Sequence, residues 1–86
     1  MRHLQKLGLV VRTEEQERGA AEYHLTPQEM KLLTLLGQGH HYKTAAAELN
    51  LSVHTVAFHM RGIYEKLQVH SKSEAVAKAL RDGLIR

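Results

Sequence analysis

Within LSVHTVAFHMRGIYEKL, Leu51 to Leu67, two histidines, an arginine, a threonine and a phenylalanine stand close together. Three kinds of chemistry use such residues: metal ligation, nucleophilic catalysis and recognition of an anionic polymer. The spacing argues against metal. His54 and His59 are five positions apart, about 140° around a helix, and cannot easily share one ion. His40 and His41 are adjacent, so their rings diverge. The chain has no cysteine and no His-Glu-x-x-His, which leaves a zinc ion short of ligands. Catalysis fares no better. Ser52, Ser71 and Ser73 all stand where helices begin, and capping accounts for them. No glycine-rich phosphate loop occurs, and the single aspartate, Asp82, lies near the chain's end. We therefore expect no catalytic residue, no metal and no cofactor.

Recognition of an anion is left, and the charge supports it. The formal net charge is +3. Residues 1–25 hold four basic and four acidic side chains, whereas residues 26–86 hold eight basic and five acidic ones. The excess falls on the part of the chain with a folding pattern, and nucleic acid is the first partner it suggests.

The elements that position these residues are helices. Thr26 and Glu29 have capping-box spacing, with Pro27 at the first helical position and Leu25 and Met30 placed as a hydrophobic staple. Leu32, Leu33 and Leu36 repeat at helical spacing, and Gly37 and Gly39 should stop this helix near Gln38. An alanine-rich helix follows from Tyr42 to Leu49. Asn50 tolerates the left-handed turn conformation, and Ser52 can cap the next helix.

That next helix has an apolar face of Val56, Met60, Ile63 and Leu67, with His59 beside them bonding a backbone group. Its other side carries Thr55, Ala57, Phe58, Arg61 and Gly62. A second capping box, Ser71 to Glu74, opens the last helix, which runs to Gly83, and Leu84 and Ile85 fold back on the core. The expected core is Leu32, Leu33, Leu36, Ala46, Leu49, Val56, Ile63, Leu67, Ala75 and Ala79. The segment Arg12–His24 is rich in charge and poor in large apolar residues. We read residues 1–24 as a flexible linker or remnant, in which Leu4, Leu7, Val10 and Val11 form a short helix or strand that is a remnant of something larger or lies against the main domain. Residues 25–86 then form one all-α domain, a four-helix bundle with a three-residue turn inside a helix-turn-helix.

The pattern from Leu25 to Ile85 resembles the LuxR-type DNA-binding domain of the FixJ and NarL response-regulator family. The residues that carry the likeness are LTPQE, then Thr55, Val56 and His59, then Lys66, Leu67 and Val69, then Ser71, Glu74, Ala75 and Val76. The chain departs from that pattern at His40, Ala45, Val53 and Ala57, and Met60 is expected to fill the space beside Ala45.

The resemblance implies a cytoplasmic transcription regulator that binds double-stranded DNA through the helix from Leu51 to Leu67. Ala57, Phe58 and Arg61 are then the base contacts. Lys43, His54, Thr55, Lys66 and Lys72 are the phosphate contacts. Val76, Ala77 and Leu80 form an apolar flank for a weak homodimer. A receiver or other sensory domain is expected upstream in the intact protein. Two other readings stay open: a stand-alone regulator without a receiver, and a protein-interaction module anchored by Phe58 and Met60. No apolar run is long enough to span a membrane, and the first residues are too charged for a signal peptide.

Overall fold

The computed structural model describes residues 13–86, and all five of its elements are helices: α1 Glu14–Glu22, α2 Pro27–Gly37, α3 Tyr42–Leu49, α4 Val53–Leu67 and α5 Lys72–Arg81. The all-α class and the four helices of residues 25–86 are as expected, and among the described residues a further helix, α1, precedes them. The apolar segment Leu4–Val11 lies outside the described residues.

The correction concerns Arg12–His24, read above as linker. Glu14–Glu22 is helical and begins with a complete capping box. The Gln16 backbone N–H donates to Thr13 Oγ1 at 3.1 Å, and the Thr13 N–H donates to Gln16 Oε1 at 2.8 Å. Glutamates 14, 15 and 17 occupy the first turn, where they oppose the helix dipole. The residues α1 buries are small, Gly19 and Ala20. A side-chain carbon at Gly19 would collide with the methyl of Leu84. An interface of small residues carries no large apolar side chain, so the sequence looks solvated where it packs.

The central helices follow local rules. The box at the start of α2 forms as expected, with Glu29 N–H to Thr26 Oγ1 at 3.1 Å and Thr26 N–H to Glu29 Oε1 at 2.9 Å. Helix α3 ends on Asn50, which is left-handed at φ 59°, and the turn Asn50–Leu51–Ser52 leads into α4. Ser52 Oγ accepts the Thr55 N–H at 3.0 Å. At α5 only half of the expected box forms. Ser71 Oγ accepts from Glu74 N–H at 3.2 Å, but Glu74 reaches past Ser71 to the N–H of His70 at 2.9 Å.

Helix α2 touches α3, α4 and α5, and α4 lies between α3 and α5. Leu32, Leu33, Val56, Met60, Ile63, Leu67, Ala75, Ala79 and Leu84 are fully buried at this junction. Ala45 and Met60 are both buried in the core. Leu49, expected in the core, is half-buried at its edge, because it ends α3 beside the turn. No helix among the described residues is long and apolar enough to cross a membrane.

Helix α1 is tied to the end of α5 by one strong polar link, Tyr23 Oη donating to Asp82 Oδ2 at 2.6 Å. That bond holds the Asp82 carboxyl below its usual range, against partial desolvation and with help from Arg81. It also raises the Tyr23 hydroxyl above its usual value. The depressed carboxylate contributes stability above its unfolded pKa of about 3.9, and that stability is lost as pH falls through the folded value. The raised phenol contributes below about 10, and its share is lost as pH rises further. Tyr23→Phe should therefore lower the urea midpoint at pH 7 and lower it less at pH 3 or pH 11. A deficit as large at pH 3 as at pH 7 would assign the effect to packing instead.

Candidate nucleic-acid interface

Helix α4 divides into two faces because its apolar residues recur every three or four positions. Val56, Met60, Ile63 and Leu67 are buried at 1% exposure or less. Helical geometry then turns Val53, His54, Ala57, Phe58, Arg61 and Glu65 outward. Phe58 is 61% exposed and Val53 46%. His54, Arg61 and Glu65 are exposed, and Ala57 is half-buried. The Arg61 guanidinium carbon stands 6.0 Å from the centre of the Phe58 ring, a long cation–π approach. Among the described residues Arg61 has no ion pair, so its guanidinium is free for a ligand.

Polar links on both flanks fix the rotation of α4. On one side Tyr64 Oη lies 2.7 Å from Tyr42 Oη of α3. Burial, with the hydrogen bond to Tyr64, raises the Tyr42 hydroxyl well above its usual value and keeps it protonated. On the other side Lys66 Nζ donates to Glu29 Oε1 of α2 at 2.7 Å. Glu29 is only 5% exposed. A side-chain carbon at Gly62 would stand 2.8 Å from Glu29 Oε2, so glycine leaves the room this carboxylate occupies.

Of the residues singled out in the sequence, Ala57, Phe58, Arg61 and His54 share the outward face of α4. Lys43 is exposed on α3, and Lys72 is half-buried at the start of α5. Thr55 is half-buried, and its hydroxyl is 2.9 Å from Ser52 Oγ at the N-terminus of α4. Lys66 stands apart, because its ammonium is engaged by Glu29. Val76 is half-buried and Ala77 and Leu80 are exposed on α5, a separate surface.

His59 differs from expectation: its ring meets Phe58 edge-on at 5.7 Å and bonds no backbone group among the described residues. His40 Nδ1 lies 3.1 Å from Thr44 Oγ1. Val53 and Glu65 were not singled out as site residues. The signal for Val53 was present, since Val53, Ala57 and Arg61 form an i, i+4, i+8 stripe. Nothing local points to the Glu29–Lys66 pair, whose members are 37 residues apart.

Charge is distributed unevenly. Residues 42–72, which hold α3, the turn and α4, carry four lysine or arginine side chains and two glutamates. Residues 13–24 carry one arginine and four glutamates. The described chain is thus positive around α4 and negative along α1, a polarity that would orient an anionic polymer toward α4.

Comparison with known proteins gives this geometry a context. The family model described as bacterial regulatory proteins, luxR family, matches residues 23–79, which contain α2, α3, α4 and most of α5. The response regulator VraR of Staphylococcus aureus (strain Mu3) is 32% identical over 62 residues, and the match takes in 72% of this chain. VraR of Staphylococcus epidermidis matches at the same 32%. The chain spans 30% of the length of these regulators. Among solved structures, that of the transcription factor GerE superposes with a TM-score of 0.67 at 31% identity, over 72% of this chain and 92% of that one.

The packing around Glu29 yields a stability test. Gly62→Ala gains up to about 1 kcal/mol of helix propensity but pushes a carbon against a carboxylate held by Thr26 and Lys66. We expect net destabilisation of about 1–2 kcal/mol, in the range of overpacking. Glu29→Gln removes the charge opposite Lys66 and should cost about 1–3 kcal/mol, below the figure for a fully buried pair because Lys66 is partly solvated. Gly62→Ala combined with Glu29→Ala, which removes the group the new methyl meets, should lose less than the sum of those two single changes. Strict additivity in urea unfolding would show that Gly62 does not act through Glu29.

Proposed function

Because the chain belongs to the luxR family of bacterial regulatory proteins, a family of helix-turn-helix transcription regulators, we propose that it binds double-stranded DNA sequence-specifically as the C-terminal output domain of a two-component response regulator. The observation that carries this reading is the outward face of α4. It presents an unpaired guanidinium and a 61% exposed aromatic ring on a helix whose other face is locked into the core. An isolated domain gains nothing from leaving Phe58 in water, whereas a helix of this shape fits the major groove.

In this reading α4 lies in the groove. Arg61 bonds guanine through its O6 and N7, and Ala57 and Phe58 make apolar contact with base edges. Lys43, His54, Thr55 and Lys72 contact phosphates and set the register. Lys66, also expected among them, is engaged by Glu29 and serves chiefly to orient α4. Two copies meet weakly on DNA through Val76, Ala77 and Leu80, supported by the 49% exposure of Leu80. The output-domain reading draws support from the response regulators, of whose length the match covers 30%. A stand-alone regulator is the second reading, favoured by GerE, whose chain is covered to 92%. The intact reading frame separates the two.

The direct test is selection of bound duplexes from a random pool, followed by titration at several salt concentrations. Binding should fall steeply as salt rises. Arg61→Ala should weaken the selected site about 5- to 100-fold and relax preference at one base pair. Lys43→Ala should weaken all duplexes alike and reduce the salt slope by about 1. No enrichment at low salt, together with salt-insensitive capture of a protein partner, would replace DNA binding by the interaction-module reading.

Dimerisation has its own test. Leu80→Glu should leave the helical circular dichroism unchanged, because Leu80 is half in water, yet weaken binding to paired half-sites while sparing a single half-site. Equal binding of variant and parent to paired sites would remove α5 from the interface.

A further inference from the structure

The outward face of α4 carries three apolar side chains in its N-terminal half, Val53, Ala57 and Phe58, beside the exposed His54. Val53, 46% exposed, and Phe58, 61% exposed, are two of the three exposed large hydrophobic residues among those described. Ala57 lies one turn beyond Val53. No asparagine or glutamine, the side chains that bond adenine in two places, occurs between Val53 and Arg61. What the apolar side chains Val53, Ala57 and Phe58 can read in an A·T pair is its thymine. There the major groove offers one apolar feature, the C5 methyl group of the pyrimidine. At the far end of the stripe stands Arg61, with its guanidinium carbon 6.0 Å from the Phe58 ring centre. From Val53 to Arg61 the helix rises about 12 Å, the length of three to four base pairs at ~3.4 Å each.

We propose that Val53 is a specificity-determining residue which, with Ala57 and Phe58, selects pyrimidine C5 methyl groups over the part of the half-site beside the guanine bonded by Arg61. The inference rests on the DNA-binding reading above. It makes the reading face a methyl detector with one hydrogen-bonding anchor. Removing a methyl from such a contact leaves every base-edge hydrogen bond intact, so the two kinds of readout separate cleanly.

The experiment uses the duplex selected by the parent chain. Its half-site thymines are replaced singly by deoxyuridine, which lacks only the C5 methyl. The parent should bind about fourfold more weakly for each contacted methyl lost, the scale of one buried methylene. Val53→Ser and Phe58→Gln, both at exposed positions and checked for helicity by circular dichroism, should each abolish the thymine–uracil difference at one position. Placing 5-methylcytosine·guanine at the same positions separates the methyl group from thymine itself. It should bind more tightly than cytosine·guanine if the methyl is read. A selected half-site without thymine, equal parent affinity for thymine and uracil, equal affinity for methylated and plain cytosine, or undiminished discrimination in Val53→Ser would each overturn the proposal while DNA binding stands. Failure to bind any duplex at low salt would overturn the underlying reading as well, and is distinguishable for that reason.

Discussion

Glu29 is a carboxylate at 5% exposure, and a charge so placed must be compensated. Burying an ionised carboxylate without partners costs several kcal/mol even after the surroundings relax. Its Oε1 accepts from the Thr26 N–H at 2.9 Å and from Lys66 Nζ at 2.7 Å. The first bond closes the cap of α2, and the second anchors the C-terminal half of α4. Gly62 supplies the space between them. One side chain therefore starts one helix and fixes the rotation of another, and the outward face of α4 depends on that rotation.

The same helix is held at two further points. Tyr42 and Tyr64 join their hydroxyls at 2.7 Å on the α3 side. Lys78 of α5 donates to the carbonyl oxygen of Leu67 at 2.7 Å, satisfying an acceptor that the helix end leaves unpaired. Three polar links surround a dry stripe of Val56, Met60, Ile63 and Leu67. Two of the links use side chains on the flanks of α4, Tyr64 and Lys66, the third uses the main-chain carbonyl of Leu67, and none uses its outward face. Residues there are consequently free of these structural links. The division also explains Lys66, whose charge stabilises the fold where the sequence suggested contact with an anion.

The contrast between α1 and α4 follows from the same economy of contacts. Helix α1 buries only Gly19 and Ala20 and presents glutamates to solvent, so it adds little apolar area. It holds its place through the Gly19–Leu84 fit and the Tyr23–Asp82 hydrogen bond. The Glu15–Arg86 ion pair, at 3.6 Å with both side chains well exposed, contributes little beside them.

What the sequence determined by itself was local. Capping by Thr26, Ser52 and Ser71, the left-handed turn at Asn50 and the spacing of Val56, Ile63 and Leu67 depend on residues within a turn or two of one another, and they locate α2 to α5 and the two faces of α4. Phe58 and Arg61 could be placed outward for the same reason. Tertiary structure decided the rest. It turned Glu14–Glu22 from apparent linker into a packed helix, because a glycine notch filled by Leu84 needs no large apolar side chain on the helix itself. It also moved Leu49 to the core's edge and redirected Glu74 to His70. Above all, it committed Lys66 to Glu29 across 37 residues. A lysine's charge is visible in a sequence, but whether it meets solvent, phosphate or a buried carboxylate depends on which helix packs beside it, and no local rule carries that distance.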